Sequence, residues 1–143
     1  MKFTLFLDKS REEECIVYAN ETSRLVENIE RLILDNGLEF IGYKDESIVK
    51  INLSEVYCFV VENGKTYAIT EDGKLMIKNR LYQLEEKLTE NFIKINQSCI
   101  ANIKKIQRFD ASFSGSLSVI FKNGYTDYVS RRQMKNVKER LGV

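Results

Sequence analysis

Three short groups of polar and cationic residues interrupt apolar, strand-forming runs: Lys65-Thr66 after Asn63-Gly64, Lys94-Ile95-Asn96-Gln97-Ser98, and Ser130-Arg131-Arg132. Their chemistry fits a polyanion read at its base edges. Asn and Gln both donate to and accept from adenine, Arg meets a guanine edge bidentately, and Lys and Ser hold phosphate oxygens. In an extended chain Lys94, Asn96 and Ser98 share one face, with Gln97 at the apex of a turn. Arg131 and Arg132 open an expected helix, where the positive end of the helix dipole disfavours cations by roughly 0.3 to 1 kcal/mol each. A phosphate bound there offsets that cost. Each group has a plainer alternative. The two arginines can be solvated and paired with acids, Asn-Gln-Ser can be an ordinary polar turn, and Lys65-Thr66 a solvated hairpin. Asn102 can bond backbone alone, and alternation sends Lys104 and Lys105 to opposite faces, so with Arg108 they cannot all form one patch.

Composition narrows the function classes. The 143 residues contain no histidine, which removes Ser-His and Cys-His catalysis and most zinc sites. Cys15, Cys58 and Cys99 lie far apart among apolar neighbours, without CxxC spacing, and read as buried thiols. Glu12-Glu13-Glu14 and Asp45-Glu46 read as solvated turns rather than a metal or acid/base site. No GxxxxGK[ST] or GxGxxG run is present, so no cofactor, metal or catalytic residue is expected. The formal net charge of +1 conceals an asymmetry: residues 1–46 hold 6 Lys/Arg against 11 Asp/Glu, whereas residues 92–143 hold 10 against 3. The field that attracts a polyanion therefore belongs to the C-terminal part. No apolar stretch approaches the ~20 residues of a membrane span, and Lys2 to Leu7 lacks the features of a signal peptide, so a cytoplasmic protein is expected.

These groups need elements to hold them. Phe3, Leu5 and Leu7 alternate with Lys2, Thr4 and Phe6, and Cys15 to Ala19 is a second apolar run, so two strands joined by a charged turn are expected. A helix over about 22–36 follows, with Leu25, Val26, Ile29, Leu32 and Ile33 on one face, Asn20 or Thr22 as cap, Glu21 in the first turn and Asn36-Gly37 as stop. From residue 38 the pattern becomes short strands at 38–43, 48–51, 56–62, 65–70 and 74–78, with Asn63-Gly64 and Asp72-Gly73 as tight turns. Asn79 caps a short helix carrying Leu81, Leu84 and Leu88. Strands at about 92–95, 99–109, 116–122 and 125–129 come next, the last two joined at Asn123-Gly124. Ser130 to Gln133 fits a capping box, Met134, Val137 and Leu141 form the apolar stripe of the last helix, and Gly142 closes it.

The ordered pattern Phe92-x-Lys94-Ile95-x-x-Ser98-x-Ile100-x-Asn102-Ile103, then Asn123-Gly124, then Val129-Ser130-Arg131-Arg132, resembles the LytTR DNA-binding domain of bacterial transcriptional regulators. The likeness covers roughly residues 38–142. It implies an α+β, mostly β domain of antiparallel sheets with short helices, whose loops rather than a recognition helix enter successive grooves of double-stranded DNA. It also implies binding to paired promoter repeats as a homodimer. Carried over, the contacts are Lys65, Thr66, Lys94, Asn96, Gln97, Ser98, Arg131 and Arg132. Many members have a His followed by a basic or polar residue just before the Ser, where this chain has Asn96-Gln97, which alters base preference. Many are fused to a phosphoacceptor receiver domain, for which about 37 acidic-leaning residues are too few. The expected organisation is a strand-strand-helix extension over 1–37, serving dimerisation or partner contact, and a LytTR-type domain over 38–143. The leading expectation is a non-enzymatic, sequence-specific transcriptional regulator resembling the small stand-alone type. The alternative is a protein-interaction adaptor acting through the N-terminal helix or a sheet edge. RNA is disfavoured because the expected loops lack an exposed aromatic stacking platform.

Overall fold

Asn63 and Gly64 take φ values of 52° and 74°, the paired positive angles that a two-residue type I′ turn requires. They join β3 (Cys58–Glu62) to β4 (Lys65–Thr70), with Glu62 opposite Lys65. At Asn123-Gly124 only the glycine is positive, so that turn is built differently. The computed structural model describes residues 1–35, 38–88, 90–111 and 115–142. The chain forms two compact units, Met1–Leu34 and Asp35–Val143.

In the second unit, β1 (Glu39–Lys44), β2 (Ser47–Asn52), β3, β4, β5 (Gly73–Ile77), β6 (Phe92–Asn96) and β7 (Cys99–Asn102) make one antiparallel sheet. Its order is β2-β1-β5-β4-β3-β7-β6. A three-stranded antiparallel sheet of β8 (Ile106–Ala111), β9 (Leu117–Phe121) and β10 (Thr126–Val129) follows, in the order β10-β9-β8. The fold is therefore mostly β, with antiparallel sheets and, among the described residues, three helices: α1 (Arg24–Asp35), α2 (Leu81–Lys87) and α3 (Arg131–Leu141). The expected strands are all present from residue 39 onward, but the run at 99–109 is broken by a 3-10 turn at Ile103–Lys105. Asn102 causes that break. Its amide donates to Val56 O at 2.9 Å and accepts from Lys104 N–H at 3.1 Å, which ends the strand.

Alternation along the strands separates two cores. One gathers Cys58, Val60, Ile93, Ile95 and Cys99 with Phe121, Val129 and Val137, joining the large sheet to the small sheet and α3. The other gathers Phe40, Ile51, Phe59, Leu75, Leu84 and Phe92 around α2. Phe40 and Phe59 meet edge to face at 5.3 Å although two strands lie between theirs. A flat sheet would hold them ~14 Å apart at about 4.8 Å per strand, so the sheet curls around this core. Gly42 on β1 is crowded by the neighbouring strands themselves. A Cβ on Gly42 would lie 2.6 Å from Ile51 Cδ1.

Several local expectations are corrected. Residues 2–7 and 15–19 form no strands. Their apolar side chains stand exposed, and a two-stranded ribbon without a covered face is marginal in water. The helix starts at Arg24, because Ser23 Oγ accepts from Val26 N–H at 3.3 Å and so does the capping expected of Asn20 or Thr22; Glu21 lies before the first turn. The expected stop at Asn36-Gly37 lies outside the described residues. Ser130 precedes α3 but makes no side-chain cap bond, so the capping box is not formed. Gly142 does close the helix in the left-handed region. Arg80, not Asn79, caps α2, its backbone N–H donating to Gln83 Oε1 at 2.9 Å. Cys58 and Cys99 are buried as expected, but Cys15 is exposed.

Candidate nucleic-acid interface

Two backbone bonds and one amide gather the sequence-defined groups at a single end of the large sheet. Strands β6 and β7 are joined by the turn Gln97-Ser98, and Ser98 O accepts from Val61 N–H at 2.9 Å. Val61 sits on β3 beside the Asn63-Gly64 turn, so the hairpin that carries Lys65 lies next to the Gln97-Ser98 turn. Ile95 O accepts from Ser130 N–H at 2.9 Å, which fixes the start of α3 to the other side of the same strand. Lys65, Gln97, Ser98, Arg131 and Arg132 are all exposed there.

Asn96 holds the arrangement together from inside. It is 2% exposed. Its side-chain NH2 donates to Asp127 Oδ1 at 2.9 Å and to Tyr128 O at 2.8 Å, while its Oδ1 accepts from Ser98 N–H at 2.8 Å. One amide thus ties the Gln97-Ser98 turn to the strand that leads into Ser130-Arg131-Arg132. The same carboxylate oxygen of Asp127 accepts from Tyr128 N–H at 2.8 Å. Every strong group of this buried amide is used, as its burial requires.

The eight residues singled out by sequence therefore separate. Lys94, Asn96 and Ser98 do not share a face, because the β6–β7 register shifts between Lys94 and Asn96 and the bulge breaks alternation. Lys94 turns toward α2, where its Nζ lies 2.8 Å from Glu85 Oε1. Thr66 is buried, paired in register between Val61 and Ile77. Among the other basic residues, Lys105 Nζ stands 5.0 Å over the Tyr57 ring and Arg108 pairs with Asp110 at 3.3 Å.

Sequence reasoning passed over Tyr128. The residue is 53% exposed on β10, two residues before Ser130, and its backbone carbonyl accepts from the Asn96 amide. The signal was present: in Thr126-Asp127-Tyr128-Val129, alternation with the buried Val129 turns Tyr128 outward. Behind this edge the Cys99 thiol is pushed well above its ordinary pKa, first by its hydrogen bond with Cys58 and then by burial, so it stays protonated. Burial likewise raises the Tyr125 hydroxyl. Neither is activated for chemistry. Among the described residues, no three Cys, Asp or Glu side chains converge on a point that could hold a metal ion.

The LytTr DNA-binding domain model matches residues 46–142, which include every element of this edge. The chain belongs to the LytTR family. Two uncharacterized HTH-type transcriptional regulators of Staphylococcus aureus, from strains NCTC 8325 / PS 47 and COL, are each 35% identical over 146 residues. Each alignment covers 100% of this chain and 99% of the relative, so the likeness includes the N-terminal unit. Among solved structures, a LytTr DNA-binding domain from Bacillus cereus, described as belonging to a methyl-accepting/DNA response regulator, superposes with a TM-score of 0.69 at 21% identity. It covers 73% of this LytTR chain and 97% of its own, and shares the fold.

Proposed function

We propose that this LytTR chain is a sequence-specific, non-catalytic transcriptional regulator that reads duplex DNA with the loop edge described above, working in the cytoplasm as a homodimer on paired promoter repeats. The observation that carries the reading is the convergence of the Lys65 hairpin, the Gln97-Ser98 turn and the start of α3, tied by Val61 N–H to Ser98 O and Ser130 N–H to Ile95 O. Family membership and the names of the Staphylococcus relatives support a DNA-binding regulator. Those relatives carry the term HTH-type. Here α1, α2 and α3 are separated from one another by strands, which favours loops over a recognition helix.

In this reading Gln97, Arg131 and Arg132 reach base edges or the nearest phosphates, and Lys65 and Ser98 hold the backbone. Asn96 and Thr66 act from the buried side, positioning those groups rather than touching DNA. Lys94 contributes once a phosphate competes for it with Glu85. The surplus of 10 Lys/Arg over 3 Asp/Glu in residues 92–143 supplies the attractive field. No helix among the described residues is long and apolar enough to cross a membrane.

Fluorescence-anisotropy titration of a duplex isolated by selection, over a range of salt, tests the reading. Affinity should fall linearly with log salt at a slope of about −4 to −6, as expected for roughly five or six phosphate contacts. A salt-independent or undetectable signal, with a stoichiometric complex formed on another protein, would instead favour the adaptor. A single-stranded RNA of the same sequence should bind more weakly, because Tyr128 by itself is a poor stacking platform at this edge.

A further inference from the structure

Residues 1–34 carry more apolar surface than they can cover by themselves. Phe3, Leu5 and Leu7 are 86%, 65% and 90% exposed, Ile16 and Tyr18 are 61% and 92% exposed, and Leu32 of α1 is half open as well. Eleven large apolar side chains of this unit stand in solvent. At roughly 100 to 200 Å² each, that is on the order of 1,000 Å² per copy, above the ~800 Å² per partner of a standard stable interface. Chains below about 40 residues seldom fold without a disulfide, a metal or an oligomeric partner. A single cysteine rules out a disulfide within this unit, and among the described residues no three Cys, Asp or Glu side chains converge on a point that could hold a metal ion.

We propose that the occupant of this surface is the N-terminal unit of a second copy of the same chain, forming a two-fold symmetric intermolecular sheet. The two legs, residues 2–7 and 15–19, are rich in apolar, strand-forming residues, yet neither is paired in a ladder. The charges that flank the legs say which leg meets which. Residues 1–9 hold Lys2 and Lys9 against Asp8, net +1, whereas residues 11–21 hold Arg11 against Glu12, Glu13, Glu14 and Glu21, net −3. Pairing the first leg of one copy with the second leg of the other brings opposite charges together, whereas pairing second legs sets −3 against −3. A two-fold operator makes the favourable contact twice. The apolar stripe of α1, with Leu25, Leu32 and Ile33 exposed, then covers one face of that sheet. The unit's total of five Lys/Arg against seven Asp/Glu, net −2, leaves little repulsion between copies.

This deepens the homodimer part of the reading above and is tested without DNA. Sedimentation velocity of the full chain should give a dimer at about 10 μM, as an interface of standard size allows. The variant Leu5→Ser/Leu7→Ser/Ile16→Ser removes apolar area without altering charge. It should raise the dimer Kd at least ~100-fold, because hydrophobic area drives this association. The same variant should bind a single half-site duplex with unchanged affinity, which reports that the DNA-reading unit is folded. A wild-type chain that stays monomeric at about 100 μM, or forms only a complex with a different protein, overturns the proposal. So does a triple variant that remains dimeric. Loss of half-site binding by the wild type would sink the DNA reading and leave this inference standing.

Discussion

Arg132 and Asn96 sit a few residues from the same edge yet carry different loads. Arg132 is exposed at the start of α3, and Arg132→Ala should cost about 1 to 3 kcal/mol in binding the selected duplex while relaxing preference at one base-pair position. Unchanged affinity would remove it from the readout. Asn96→Ala should behave otherwise. It strands the Ser98 N–H and the Tyr128 carbonyl beneath the surface, costing on the order of 1 to 3 kcal/mol in urea unfolding and weakening preference at the Gln97 and Arg132 positions together. A double-mutant cycle with Arg132→Ala should be non-additive, since both changes act through one edge. An additive cycle would mean that Asn96 does not position α3. Spacing alone gives Asn96 a face shared with Lys94 and Ser98, whereas the register shift between Lys94 and Asn96 breaks that alternation and the Asn96 amide is buried against Asp127, Tyr128 and Ser98. A one-residue register shift leaves no mark on composition, so its effect on facing was not legible.

At the scale of elements, strands and turns from residue 39 onward were legible because alternation, Asn-Gly turns and glycine stops all agree there. The 3-10 break at Ile103–Lys105 was not, because it follows from where the Asn102 amide finds Val56 O, 46 residues away in sequence. Nor was the curl of the sheet, which is seen only when Phe40 meets Phe59. Gly42 is a packing position set by the strands on either side of β1. Gly42→Ala sets a Cβ 2.6 Å from Ile51 Cδ1 and 3.1 Å from Leu75 Cβ in the core. It should lower stability by about 1 to 3 kcal/mol, read as a reduced urea midpoint with an unchanged m-value. A midpoint equal to that of the wild type would show that β1 shifts freely. The two N-terminal strands expected from alternation do not form: residues 2–7 and 15–19 join no ladder, and a two-stranded ribbon without a covered face is marginal in water.

For the whole molecule, charge and surface are divided between two units. The basic surplus lies with the DNA-reading unit and the uncovered apolar surface with residues 1–34, so association and readout should separate by mutation. Lys65 is exposed; with the phosphate-holding role proposed for it, Lys65→Ala should reduce the salt slope by about 1 and weaken all duplexes alike, without altering sequence preference. A changed preference would make Lys65 a reader instead. The central claim is that converging loops of this LytTR chain recognise a defined duplex sequence. Selection from a random duplex library with the full-length protein, repeated with Arg132→Ala, tests it most directly. The account predicts an enriched motif of repeated half-sites, with information lost at one position per half-site in the variant. Recovered sequences that stay random, or a motif identical for both proteins, would contradict it.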